Sequence, residues 1–231
     1  MPYRRLPNTD QARMRALDTV IQKCSERGGV LLVDSKSLIE ARSFLLRFQT
    51  AYSYYKECYD SQVRNSHQYR TKLKNAKLYL SHFIQVLNFS IIRGEIKSGY
   101  KAYYNLPKEH VVPDLLSEAA VISCGRAVID GEMKRVSEGG VPIYNPTIAK
   151  VKVHYDLFLE IHESYKNDQR LTVDSLEKLA GMRPYADQLI LDIWNQLEAS
   201  FSEIPSSHER LNKCGEYGII YYYRKGEKRI I

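Results

Sequence analysis

The chain has 231 residues, 44% hydrophobic and 26% charged, with a net charge of +7 and a pI near 9.1. That composition can bury a proper core, and its basic balance points to an acidic partner such as nucleic acid without requiring one. Cys24, Cys58, Cys124 and Cys214 stand far apart with no C-x-x-C pair, which excludes a disulfide framework or zinc ribbon. No run approaches the ~20 apolar residues of a membrane span, and MPYRRLPNTDQARMRAL lacks the apolar region of a secretory signal, so the expected compartment is the cytoplasm.

From the N-terminus, Thr9 to about Arg27 reads as a first helix. Gly28-Gly29 closes it, because a glycine takes the left-handed conformation without a Cβ penalty. Val30 to Val33 forms a short apolar connector, and the Asp34 carboxylate caps the free amides of the next helix. That second helix carries Leu38, Ala41, Leu45, Phe48, Tyr52, Tyr55 and Tyr59, alternating three and four apart as an a/d seam. A turn is expected between Asp60 and Lys72, although neither Gly nor Pro lies there. A third helix follows on Leu73, Ala76, Leu80, Phe83, Leu87 and Ile91, and SGYKAYYNL (98–106) reads as a short fourth.

The order then repeats. A helix from about Pro113 to Glu138 ends at Gly139-Gly140, and a connector from Val141 to Tyr144 leads to Asn145 as cap, with Pro146 at the first helical position. The next helix carries Ile148, Val151, Tyr155, Phe158, His162 and Tyr165, and KNDQRLTVD supplies turn chemistry after it. The following helix carries Leu176, Leu179, Ala186, Ile190, Ile193 and Leu197, with Gly181 and Pro184 expected to kink or split it. SSHERLNKCGEYG (206–218) is again a short helix. The tail GIIYYYRKGEKRII, with a turn at Arg224-Lys225-Gly226-Glu227, reads as a strand or small hairpin.

The repeat holds a constant offset of about 111 residues: Arg15-Ala16-Leu17 falls on Arg126-Ala127-Val128, Lys23 on Lys134 and Gly28-Gly29-Val30 on Gly139-Gly140-Val141. One residue shorter, Phe83, Leu87, Ser90 and Ile91 fall on Ile193, Leu197, Ser200 and Phe201. The expected fold is all-α with an internal duplication. It comprises two antiparallel helical bundles side by side, 1–112 and 113–231, ending in a short β strand or hairpin. Trp194, opposite Ile84 and beside the seam, is expected to be buried.

MPYRRLPNTDQARMRALDT, YLSHFIQVLN, GGVPIYNPTIAKVKV and CGEYGIIYYYRKGE resemble an uncharacterised, all-helical family of Bacteroidetes proteins over essentially the whole chain. The resemblance implies an all-helical bacterial protein and carries over no activity, ligand or site.

Chemistry is sparse in these residues. Among His67, His82, His110, His154, His162 and His208 there is no Glu-x-x-His, H-E-x-x-H or H-x-x-x-H, so no metal site is read; His162 on the seam is a hydrogen-bonded core residue. There is no G-x-S-x-G, no nucleotide-binding glycine loop and no cysteine signature, so no catalytic or cofactor-binding residue is assigned. Cys58, Cys124 and Cys214 read as small buried thiols.

Two basic groupings remain. One spans Lys56 to Lys77 and includes Arg64, Arg70, Lys72, Lys74 and Lys77; the matching stretch of the second half leans acidic. Arg70, Lys74 and Lys77 share a helix face and Lys72 points elsewhere. The other is YYYRKGEKR (221–229), including Arg224 and Lys225, with Tyr3-Arg4-Arg5 at the other end of the sequence, where aromatics would stack bases and cations neutralise phosphates. Drift of a solvated face and a terminal strand covering the bundle account for the same residues. The reading is a non-enzymatic helical scaffold or adaptor acting through protein contacts. The alternative is a nucleic-acid-binding protein using Arg64–Lys77 and the basic tail; an enzyme has no residue support.

Overall fold

A computed structural model describes residues 3–26 and 32–223. Gly28-Gly29 and the Arg224–Glu227 turn lie outside them. The described chain is mostly helical: α1 (Asp10–Glu26), α2 (Ser35–Ile92), a 3₁₀ helix (Ser98–Tyr104), α3 (Glu118–Ser137), α4 (Ile148–Ser200) and α5 (Ser207–Glu216). Two short strands, β1 (Tyr3–Arg4) and β2 (Tyr221–Tyr222), pair antiparallel, Tyr3 opposite Tyr222 and Arg4 opposite Tyr221. The C-terminal strand therefore pairs with the N-terminus.

Helix ends follow local chemistry. Thr9 accepts the Ala12 amide at 3.2 Å, and the Asp34 carboxylate accepts those of Lys36 and Ser37, both at 3.1 Å. Ser117 caps α3 through the Ala120 amide. The end of α3 is a Schellman closure: Gly139, at φ +90°, bonds to the Val136 carbonyl and Gly140 to that of Arg135, each at 3.0 Å. Asn145 is not the cap of α4. Thr147 takes that role through the Lys150 amide at 3.3 Å, and Asn145-Pro146 form the turn before it.

The turns expected after Tyr59 and after Tyr165 are absent. Residues 60–72 and 167–174 are helical, so each predicted pair is one long helix, α2 or α4. Without Gly or Pro, 60–72 pays only tenths of a kcal/mol per residue for Asn, Ser and Thr in a helix, too little to break it. Asn65 also donates its amide to Asp168 at 2.5 Å. Nor does Pro184 split α4; the helix runs through it to Ser200.

Two compact units result. Unit 1 combines Met1–Cys58 with Leu171–Ile231, and unit 2 is Tyr59–Arg170. In unit 1 the seam residues Ala41, Leu45 and Phe48 of α2 join Leu17 and Val20 of α1 and Ile190, Ile193, Trp194 and Leu197 of α4 in one core, with Cys214 of α5 and Tyr217. Trp194 is 1% exposed, as its phase requires. Unit 2 buries Leu80, Phe83, Ile84 and Leu87 of α2 with Tyr104, Val128 of α3 and Val151 of α4. There the 3₁₀ helix lies directly on α3: a Cβ on Gly131 would come within 2.6 Å of the Tyr103 carbonyl oxygen, so only glycine permits that approach.

Candidate interaction surface

The basic residues of α2 separate by burial. Arg64, Arg70 and Lys74 are exposed, and none ion-pairs with a described residue. Lys77 is half-buried, and its ammonium donates to the Leu116 carbonyl at 2.9 Å ahead of α3. Lys72 lies on another face. With burial and Lys150, its charge holds His154 below the ordinary imidazole range. His154 itself stacks on Tyr79 at 4.0 Å between ring centroids. Arg224 and Lys225 fall outside the described residues.

Beyond Lys74 the same side of α2 turns apolar. Leu78, His82, Gln85, Phe89 and Ile92 are spaced four, three, four and three residues apart, and all are exposed. Leu78, Phe89 and Ile92 are 58%, 58% and 59% exposed, while Leu80, Phe83, Leu87 and Ile91 of the same helix fill the core. α2 thus has two apolar faces in this stretch, one packed and one bare. Sequence reading missed the second because it sought one seam per helix. A repeat of Leu78, Phe89 and Ile92 out of phase with the core seam was the available signal. Arg70 and Lys74 border this stripe at one end and Arg93 at the other. The Arg93 guanidinium bonds to the Glu95 carboxylate at 2.6 and 3.0 Å.

Two polar clusters in unit 2 were also missed. Glu132 and Arg135 of α3 are 0% and 2% exposed. Arg135 Nε and Nη2 donate to the two Glu132 oxygens at 2.9 and 2.8 Å, Nη2 also reaches the Val141 carbonyl at 2.8 Å, and the Ile143 amide donates to Glu132 at 3.1 Å. The Tyr104 hydroxyl donates to Glu132 and accepts from Arg135 Nε at 2.8 Å. The pair ties the end of α3 to the following loop and to the 3₁₀ helix. Its sequence signal was phase: Glu132 and Arg135 continue the four-three spacing of Val121, Gly125 and Val128.

The second cluster surrounds Glu118 in the first turn of α3. Its carboxylate accepts from the Tyr69 hydroxyl, from His162 Nε2 at 3.1 Å and from Lys166 at 3.2 Å. Tyr69 stacks on Tyr165 with ring centroids 4.6 Å apart, and the His162 ring, bonded to Glu118, packs near those of Tyr69 and Phe158 with centroids 6.2 and 5.6 Å away, a hydrogen-bonded residue of the helix packing. The Tyr69 hydrogen bond above all holds the Glu118 carboxyl below its ordinary value, against burial and aided by Lys166 and His162. No nucleophile stands in hydrogen-bond contact with His162 among the described residues.

Among the described residues no helix is long and apolar enough to cross a membrane. No protein-family model, curated protein or solved structure matches the chain.

Proposed function

We propose that the chain is a non-enzymatic helical adaptor whose α2 docks an acidic amphipathic helix of another protein. The observation that carries this reading is the exposed stripe Leu78, His82, Gln85, Phe89 and Ile92, spaced alternately four and three residues apart, with large apolar side chains at Leu78, Phe89 and Ile92. Such a stripe fits the apolar face of one partner helix, and each large side chain buried there is worth about 1.5–3 kcal/mol. Exposed Arg70 and Lys74 at one end select carboxylates on that helix and speed the encounter.

A photo-crosslinking residue at Gln85, in the middle of the stripe, tests this in native cells. Crosslinks to an acidic helix of one protein, lost with Phe89→Glu/Ile92→Glu and weakened by salt, support the reading. Crosslinks that ignore those changes, or that join two copies of the chain, overturn it.

A second reading has its own observation: exposed Arg64, Arg70 and Lys74 leave three cations free for phosphates. Duplex binding through them weakens with salt by about 0.9 in log K for each phosphate neutralised. Oligonucleotide titration at low salt separates the readings. Binding abolished by Arg64→Glu/Arg70→Glu/Lys74→Glu yet indifferent to Phe89→Glu/Ile92→Glu selects nucleic acid; no binding removes it.

We also infer that the chain is an internal duplication, in copies 1–112 and 113–231, whose halves are exchanged between the compact units. Support comes from equivalent positions with equivalent burial: Ala41 with Val151, Phe48 with Phe158, Leu80 with Ile190, Ile84 with Trp194 and Leu87 with Leu197. Unit 1 joins the beginning of the first copy to the end of the second, and unit 2 holds the complementary parts. Because each copy's second and third helices are fused, neither half closes a core alone. On this reading, fragments 1–112 and 113–231 stay unfolded separately and fold when mixed; a fragment that folds cooperatively alone refutes the exchange.

A further inference from the structure

Arg135 is fully engaged on one side only. Nε and Nη2 are taken by Glu132, Tyr104 and Val141, while Nη1 has no partner among the described residues. Nη1 lies against Gly140, where a Cβ would stand 2.7 Å from it. Both residues line a cavity of about 590 Å³ in unit 2, within the range of small-molecule sites. Its walls include Val86, Ile96, Tyr100, Pro142 and Tyr144.

The charges decide what fits. Lys97, exposed and without an ion-pair partner among the described residues, lines the cavity with Arg135. Glu95 lines it too, but its carboxylate is held by Arg93 at 2.6 and 3.0 Å. With Glu132 on Arg135 and Glu95 on Arg93, the unmatched charge is the one on Lys97. A nearly buried guanidinium nitrogen with a free donor recognises an oxyanion, and the rest of the wall is apolar or aromatic.

We propose that this cavity binds a small organic acid, with its carboxylate on Arg135 Nη1 and Lys97 and its apolar or aromatic body between Val86, Ile96, Tyr100 and Tyr144. The Gly139-Gly140 closure of α3 makes the site possible. It turns the loop back over Arg135, and the missing side chain at Gly140 leaves the guanidinium room. None of the residues of the bare stripe on α2 lines the cavity.

Calorimetric titration of the full chain with 4-phenylbutyrate and its uncharged amide tests the proposal. The acid is expected to bind saturably in the micromolar to low-millimolar range, at least about tenfold tighter than the amide. Lys97→Glu should weaken the acid about tenfold and leave the amide unchanged. Val86→Phe, which fills the wall, should abolish binding of both. Tyr144 is exposed, so Tyr144→Ala keeps the test open if Val86→Phe fails to fold; it should weaken both probes alike. No saturable binding of the acid, equal affinity for acid and amide, or indifference to the cavity variants overturns the proposal.

Discussion

Arg13 of α1 and Asp187 of α4, 174 residues apart, form a two-point ion pair, Nε to Oδ1 at 2.7 Å and Nη2 to Oδ2 at 3.0 Å. Beside it, Arg183 grips both oxygens of Asp10 at 2.9 Å, and Arg13 Nη1 touches Asp10 at 3.5 Å. Two arginines and two aspartates thus alternate between the first and last segments of unit 1. Arg13 is buried and Asp187 partly exposed. A double-mutant cycle on Arg13→Ala and Asp187→Ala should therefore give a coupling of about 1–2 kcal/mol by urea denaturation, above the ~0.2–1 kcal/mol of exposed pairs. Coupling near zero would make the pair ornamental.

The Glu132–Arg135–Tyr104 network is more deeply buried and should respond more strongly. Glu132→Ala leaves the Arg135 cation and the Tyr104 hydroxyl without their acceptor, at a cost of about 3–5 kcal/mol. Tyr104→Phe removes one hydroxyl and should cost about 1–2 kcal/mol. Burial first, then the Glu132 hydrogen bond, holds the Tyr104 phenol well above its ordinary range, so it stays a donor at alkaline pH. Thermal denaturation of the two variants measures the ranking, and equal costs would contradict it.

Glu118 gives a pH dependence with a definite sign. Its folded carboxyl titrates below the unfolded value of about 4.3, chiefly because Tyr69 donates to it. The stability this confers is present above that value and is lost as pH falls through the lower folded one. The difference between wild type and Glu118→Gln should be full at neutral pH and shrink in acid. Urea denaturation across that range checks it, and a difference growing toward low pH would reverse the assignment.

Trp194 fills the core of unit 1, and its indole N–H has no hydrogen-bond partner among the described residues. Trp194→Ala should cost about 3–5 kcal/mol through the cavity it leaves. Trp194→Phe loses no hydrogen bond with a described residue and should cost clearly less. Denaturation followed by circular dichroism separates them. A cost under about 1 kcal/mol for the alanine would place the side chain outside the core.

Helix type, seams and several caps were written locally. Asp34 caps because its carboxylate reaches amides two and three residues on, and Gly139 closes α3 because left-handed backbone favours glycine. Leu87, Phe158 and Trp194 are buried where their phase puts them, since a helix presents i, i+3, i+4 and i+7 on one side in any fold. The exposed stripe and the Glu132–Arg135 pair were latent in the same periodicity, but phase alone does not say which apolar face is covered or what a charged seam residue meets.

Only the tertiary structure decided that 60–72 and Pro184 lie inside continuous helices. The weak turn preference of 60–72, and the larger cost of about 3 kcal/mol for a proline inside a helix, are overridden when packing on either side is worth more than the propensity lost. It likewise decided that Met1–Cys58 closes its core with Leu171–Ile231, drawing Arg13 to Asp187. Apolar seams are interchangeable in composition, so the sequence determined that each helix has a face to bury, and three-dimensional packing determined which helix it meets.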